Sequence, residues 1–154
     1  MAALNEIGYK RIIELSSLSY LNNNGTLDPH LNFEELLKNN EGVAIFSGTI
    51  NGLVGQLFNK GKFSEIEKLY SKLKQKYGDK FYIEIQRHGD QNEISFEKFN
   101  LSQSLNLEIS IIATNEVFYS NKDMYEAHDA LICIKNKTYV NEKNRIKYSN
   151  QHYL

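Results

Sequence analysis

The sequence predicts an α/β fold in which parallel strands are joined by crossover helices. Three short apolar runs have the composition of buried strands, and segments with apolar residues at helical spacing alternate with them. Strands that are separated by a helix pair in parallel, because the crossover returns the chain to the same end of the sheet. Three strands are too few to close a barrel, so we expect part of a larger layer.

Each element is predicted from a local pattern. In chain order we predict helices at residues 5–21 and 33–38, a strand at 43–46, helices at 52–58 and 64–77, a strand at 81–86, a helix at 91–105, a strand at 109–113 and a helix at 121–133. The helices carry apolar residues three and four positions apart, whereas the strands are short apolar runs. The strand at 109–113 has one polar interruption, Ser110, so we expect both of its faces to be covered.

Turn and capping residues set the predicted boundaries. Asn22 to Gly25 should end the first helix, and the only proline, Pro29, follows in the loop. Three pairs have the spacing of a capping box at a helix start. These pairs are Ser64 with Glu67, Asp90 with Glu93, and Ser120 with Asp123.

Composition excludes several classes of protein. The 154 residues suit one domain, and 18 basic residues nearly balance 19 acidic ones, which does not favour nonspecific binding to nucleic acid. The single Cys133 cannot form an internal disulfide and is expected to be a buried thiol. No apolar run reaches the roughly 18 residues of a membrane span, and the start lacks a secretion signal. We therefore expect a cytoplasmic protein that does not bind a membrane.

Polar residues follow the predicted strands and form a candidate rim. In α/β proteins the chemistry lies at the carboxyl ends of strands. Glu116 and Phe118 follow the third strand and, two residues apart, should share one face. The candidate rim residues are Glu84, His88, Asn115, Glu116 and His128.

Each candidate also has a structural interpretation. Glu116 is either a metal ligand or a solvated carboxylate, and His88 either a site residue or part of a turn. His128 lacks a histidine partner four residues away, so helix packing or contact with the missing domains is favoured. We expect His30 and His152 to be exposed. Four tyrosines are expected at helix packing positions: Tyr9, Tyr20, Tyr70 and Tyr77.

Eight short motifs, in this order and spacing, resemble the PHP (polymerase and histidinol phosphatase) domain of bacterial DNA polymerase III alpha subunits from about Asn5 to Leu154. The motifs are Asn5 to Tyr9, Leu15 to Leu18, Ser47 with Gly48, Gly55 to Leu57, Gln86 to Gly89, Ala113 to Asn115, Glu126 to Leu131, and Arg145 to Ser149. The resemblance implies part of a distorted (β/α)7 barrel. It also implies three divisions of one partial domain: a leading helical segment at 1–40, a β/α core at 41–134 and a polar tail at 135–154 leading toward a palm domain.

Active members of this family hold a cluster of metal ions and hydrolyse phosphate esters, because clustered cations lower the pKa of a bound water. The family's early histidine ligands would precede Met1. Within the chain, Thr49 stands where the family has a cysteine, and Phe118 where it has a histidine, while Glu116 keeps a carboxylate. These departures resemble the inactive branch of the family, so we expect no catalytic residue and no metal cofactor.

The resemblance implies a non-catalytic scaffold within a replicative polymerase. Its partners would be the remainder of the alpha subunit and the proofreading exonuclease subunit, with DNA bound only through the parent protein. An exposed sheet edge could also support self-association. Two alternatives stay open: a metal phosphoesterase assembled from split halves or an oligomer, with Glu84, His88, Glu116 and His128 around a divalent metal, and a binding module without chemistry.

Overall fold

A computed structural model of the chain describes residues 1–21, 28–89 and 91–154. In the described residues the strands are β1 (Ala2–Ala3), β2 (Val43–Phe46), β3 (Phe81–Ile85) and β4 (Ser110–Ala113). The helices are α1 (Glu6–Leu21), α2 (Phe33–Lys38), α3 (Leu53–Asn59), α4 (Phe63–Tyr77), α5 (Gln91–Leu107) and α6 (Tyr125–Lys135), with single 3₁₀ turns at Gly78–Lys80 and Lys122–Met124. The three predicted strands and six predicted helices are confirmed. The predicted turn at residues 22–25 and the predicted cap at Asp90 lie outside the described residues.

The sheet confirms the α/β class and the parallel pairing of the three predicted strands. Its order is β1-β2-β3-β4, in which β1 runs antiparallel to β2 and the other pairs are parallel. β1 was not predicted, since two alanines carry no strand pattern. Pairing places Ile45 beside Phe81, and Ile83 beside Ile111.

The core lies between one face of the sheet and helices α3, α4 and α5. Alternate residues of β2 and β3 point into it, as the period of two requires. Its buried members include Val43, Ile45, Val54, Ile66, Tyr70, Leu73, Tyr77, Phe81, Ile83 and Phe96. Packed helices on this face hold the strands rigidly and so fix the positions of the loops that follow them.

Strand β4 is not covered on both faces, so that prediction is wrong. Ile111 is 41% exposed, and Ser110 and Ala113 are also exposed. In the described chain β4 is the last strand of the sheet, with no further strand beyond it. A run of apolar residues indicates that a segment forms a strand, but it does not indicate which parts of the protein pack on that strand.

Helix α1 packs through a narrow face. Gly8, Arg11 and Leu15 are its buried residues. Tyr9 and Tyr20 are 59% and 66% exposed, so their predicted packing role is wrong, whereas the buried positions of Tyr70 and Tyr77 are confirmed. Arg11 reaches across the interface and donates to the backbone carbonyl of Glu35 at 2.8 Å, which satisfies its buried guanidinium.

Two predicted capping pairs are wrong. Lys62, not Ser64, occupies the N-cap of α4, and its side chain pairs with Glu65 instead of capping the backbone. The Ser120 hydroxyl lies 3.1 Å from the Met124 sulfur, and α6 begins only after a 3₁₀ turn that contains Asp123. Asn5 is the residue that caps α1, since its Oδ1 accepts the Gly8 N–H at 2.9 Å.

Candidate functional site

A cleft of about 510 Å³ opens at the carboxyl ends of the parallel strands. The loops after β2 and β3, the residues after β4 and the C-terminal segment all contribute to its wall. Its lining residues are Ile50, Asn51, Gln86, His88, Gly89, Glu93, Glu116, Lys147, Tyr148, Ser149 and His152. The position is that of the predicted rim, but the C-terminal segment was not expected to take part in it.

His88 lies at the base of this cleft and is only 5% exposed. Glu93, in the first turn of α5, accepts the His88 backbone N–H at 2.7 Å and its Nδ1–H at 2.9 Å. The other ring nitrogen, Nε2, lies 2.9 Å from Oδ1 of Asn115. His88 therefore ties the loop after β3 to α5 and to the loop after β4.

Glu84 and Thr49 do not line the open cleft. Glu84 accepts a hydrogen bond from the Thr114 hydroxyl at 2.5 Å, and Gln86 donates to the same hydroxyl at 2.9 Å. Thr49 lines a separate small cavity, which Glu84 and Asn100 also line. The structure thus brings His88, Asn115 and Glu116 together but leaves Glu84 and Thr49 outside that group.

Four rings stack beside the cleft. His88 and His152 lie 4.1 Å apart, centroid to centroid, with ring planes 5° from parallel. His152 in turn stacks on Phe118 at 4.8 Å and 24°, and Phe118 stacks on His128 at 5.3 Å and 10°. We call His88, His152, Phe118 and His128 the ring stack. Tyr148 adds an edge contact to Phe118, with centroids 4.8 Å apart.

His152 was expected to be exposed, and this prediction is wrong. Its side chain is buried, and the residue is 6% exposed, because the C-terminal segment folds back onto the residues after β4. The Phe118 N–H donates to the His152 carbonyl at 2.9 Å, and His152 Nδ1–H donates to the Glu116 carbonyl at 3.0 Å. Burial lowers the pKa of the His152 imidazole below its ordinary value. The predicted exposure of His30 is confirmed.

An ion pair anchors the start of the returning segment. Arg145 donates to both carboxylate oxygens of Asp129 on α6, at 2.6 and 2.7 Å. The hydrogen bonds from Arg145 hold the pKa of the Asp129 carboxyl below its usual value. Two further links secure the end of the segment: Asn115 Nδ2 donates to the Tyr153 carbonyl at 2.7 Å, and Tyr119 forms a parallel bridge with Tyr153.

Sequence reasoning missed His152, Tyr148 and Arg145 as parts of this site. Two signals were available: the motif from Arg145 to Ser149 in the family resemblance, and the clustering of ring-bearing residues near the C-terminus, where Tyr148, His152 and Tyr153 fall within a polar stretch. Their partners, His88 and Phe118, are distant in the sequence. Without a relative or a structure, nothing indicates which distant residues such a segment contacts.

The donor set at the rim does not fit a metal cluster. Imidazole binds a metal through a ring nitrogen, and the metal lies in the plane of the ring. Two histidines that share one metal ion must therefore have ring planes that meet at that ion. Parallel stacking of His88 on His152 prevents this convergence, and Phe118, between His152 and His128, has no donor atom. Within residues 1–21, 28–89 and 91–154, no three His, Cys, Asp or Glu side chains are grouped so that they could hold a metal ion.

In the same described ranges, no helix is long and apolar enough to cross a membrane. Cys133 is buried, as predicted.

Comparison with known proteins finds matches along the whole chain. A family model described as "PHP domain" matches residues 1–88. The DNA polymerase III subunit alpha of Caulobacter vibrioides is 31% identical over 154 residues, which are 100% of this chain and 14% of that protein. The subunit alpha of Rickettsia prowazekii is 37% identical over 134 residues, or 87% of this chain and 11% of that protein. That of Borreliella burgdorferi is 30% identical over 155 residues, with 100% and 13% covered. The chain therefore spans about one seventh of the length of these relatives or less.

Proposed function

Because the chain belongs to the PHP domain family, we propose that it is the PHP portion of a cytoplasmic replicative polymerase alpha subunit and acts there as a non-catalytic scaffold. The match of the whole chain to part of proteins named DNA polymerase III subunit alpha supports the parent identity. The parent would catalyse DNA-templated nucleotidyl transfer, and this portion would buttress the polymerase core. In this proposal DNA is bound only through the parent.

The observation that carries the scaffold role is the ring stack. Phe118 stacks between His152 and His128, at the position that the resemblance assigns to a family metal ligand. Both ring nitrogens of His88 are engaged, Nδ1 with Glu93 and Nε2 with Asn115. The face of the same ring stacks on His152. We therefore propose that this portion uses no divalent metal and hydrolyses no phosphate ester.

The exposed edge of β4 indicates where further structure would be added. A complete distorted (β/α)7 barrel needs strands beyond those described, and β4 has exposed side chains and an unpaired edge in the described chain. We propose that the remainder of the alpha subunit covers this edge. The proofreading exonuclease subunit is a further proposed partner, and pairing between two copies through β4 is the competing use of the edge.

A chimera tests the scaffold role. The matching segment of the Rickettsia prowazekii subunit alpha, 37% identical to this chain, is replaced by the present sequence, and primer extension is measured. We expect the chimera to extend primers at a rate close to that of the unaltered subunit. A chimera that folds and assembles but has lost primer extension would contradict the proposal.

A nuclease assay tests the alternative of a metal phosphoesterase. The purified chain is incubated with labelled single-stranded oligonucleotide and Mg²⁺, Mn²⁺ or Zn²⁺. We expect no release of nucleotides above that seen with Glu116→Gln, a matched variant that removes the rim carboxylate charge. Metal-dependent cleavage that disappears in Glu116→Gln would establish the phosphoesterase instead.

A further inference from the structure

We propose that the C-terminal segment, residues 145–153, is a fixed part of the rim, fastened by the ring stack, and that this stack rather than a bound metal holds the loops of the site together. The donor set of this chain does not fit the metal cluster of active family members. Loops that converge on a metal ion are cross-linked by it. Where the ligands are absent, that cross-link is lost, and only other contacts can hold the same loops together.

The ring stack makes the required cross-link. His88 belongs to the loop after β3, Phe118 to the loop after β4, and His128 to α6, so consecutive rings come from different elements. His152 is the ring that joins them, since it contacts His88 on one face and Phe118 on the other. Offset stacking of aromatic rings stabilises such contacts beyond the area that they bury.

Backbone contacts fix the position of the inserted ring. The His152 carbonyl accepts the Phe118 N–H, and His152 Nδ1–H donates to the Glu116 carbonyl. The bidentate pair of Arg145 with Asp129 holds the start of the segment, where both side chains are buried. The segment is thus secured at its beginning, at the ring and at Tyr153, as expected of built structure rather than of a loose tail.

Exchange of the Phe118 amide with solvent reports whether the C-terminal segment is attached. That N–H is protected by an acceptor in the C-terminal segment, so it exchanges with solvent only when the segment detaches. We also expect chelators to leave the rim unchanged. In a rim held by metal, chelation would release the loops after β3 and β4 while the core stayed folded.

The experiment is hydrogen exchange and thermal unfolding of the purified chain, with and without EDTA, for the wild type and three variants. His152→Ala removes the inserted ring, His152→Phe keeps a ring but loses the bond to Glu116, and His30→Ala is the control at an exposed histidine. We expect His152→Ala to speed exchange of the Phe118 amide about tenfold or more and to lower the Tm by roughly 4 °C. His152→Phe should lie between His152→Ala and the wild type, and His30→Ala should match the wild type.

If His152→Ala folds, either of two results would overturn the proposal. One is unchanged Phe118 exchange in a folded His152→Ala variant. The other is a wild-type chain whose Phe118 amide loses protection in EDTA and regains it with Zn²⁺. If His152→Ala does not fold, the wild-type measurements decide alone: a protected Phe118 amide that EDTA does not change supports the ring stack, and an unprotected one contradicts it. None of these outcomes depends on polymerase activity, so failure here and failure of the scaffold proposal can be told apart.

Discussion

Replacing Gly8 by alanine tests how closely helix α1 approaches the turn before β2. A Cβ atom at Gly8 would lie 1.8 Å from the carbonyl oxygen of Gly42 and 2.4 Å from its carbonyl carbon. Both atoms belong to the backbone, so no side chain can rotate away. To reach an ordinary contact distance, α1 or the turn must move by more than about 1 Å, which strains packed structure.

Two effects of opposite sign determine how much Gly8→Ala changes the free energy of unfolding. Alanine is the better helix former, and at an unobstructed helix position it would stabilise the chain by about 1 kcal/mol. Overpacking of a buried contact costs about 1–3 kcal/mol, and more where backbone must shift. Because the Gly8 contact is far shorter than van der Waals distance, we expect the clash to exceed the gain in propensity. The net loss of unfolding free energy should be about 1–2 kcal/mol or more.

The assay is urea unfolding followed by circular dichroism, with Ser16→Ala as the matched control. Ser16 lies on the same helix and is exposed, so alanine there should leave stability unchanged or raise it slightly. Gly8→Ala should shift the midpoint to lower urea. A Gly8→Ala variant that is more stable than the wild type would show that only propensity acts, and would refute the close approach of α1 to Gly42.

Three further predictions concern the core, the rim and the anchor of the C-terminal segment. Ile83→Ala, at a fully buried strand position, should lower the free energy of unfolding in urea by about 2–5 kcal/mol. A loss no larger than that of a substitution at an exposed position would contradict the place of Ile83 in the core. Because the pKa of His152 lies below its ordinary 6.5, the unfolded chain binds a proton that the folded chain does not as the pH falls below 6.5. The stability from neutral His152 should thus be complete above that pH and lost below it, and a Tm titration of His152→Phe should lack this slope. Asp129→Asn should lower the Tm by several degrees, because it leaves the buried Arg145 without its charge partner. Glu126→Gln on the same helix, an exposed carboxylate, should have no such effect, and equal shifts in both variants would contradict the anchor.

Helix and strand positions could be predicted because they follow from local periodicity. The apolar stripe of α4 predicts a helix with one buried face, and its five members are Ile66, Leu69, Tyr70, Leu73 and Tyr77. Four of them are buried, and Leu69 is half-buried. The exposure of β4 could not be predicted in this way. Its apolar residues satisfy a strand pattern, but burial depends on which other parts of the protein cover the strand.

The structure gives a physical reason for two glycines that belong to the family motifs. Gly8 and Gly55 belong to the sequence pieces that resemble the family, yet nothing in the sequence explains why glycine is needed there. In the structure a Cβ at Gly55 would lie 1.8 Å from the Ile50 carbonyl oxygen, as one at Gly8 would lie against Gly42. Both glycines permit a helix to approach backbone more closely than any side chain allows.

The ends of the strands predict where the rim lies, but they do not predict the contacts between its residues. Polar residues after β3 and β4 predict a site, because parallel strands end at one edge of the sheet. His88 and Asn115 indeed meet there, with 2.9 Å between Nε2 and Oδ1. The contact of His88 with His152 is between residues far apart in the sequence. Only the course of the chain after α6 determines it, and a polar segment gives no periodic signal for that course.

Equilibrium metal binding tests most directly whether ring stacking, and not metal ligation, holds this rim together. The purified chain is dialysed against Zn²⁺, Mn²⁺ and Mg²⁺ in turn, and the bound metal is counted by mass spectrometry for the wild type and for Glu116→Gln. We predict far less than one bound ion per chain in every case and no difference between the two proteins, since the rim donors do not converge. One or more tightly bound ions per wild-type chain, lost in Glu116→Gln, would contradict this account.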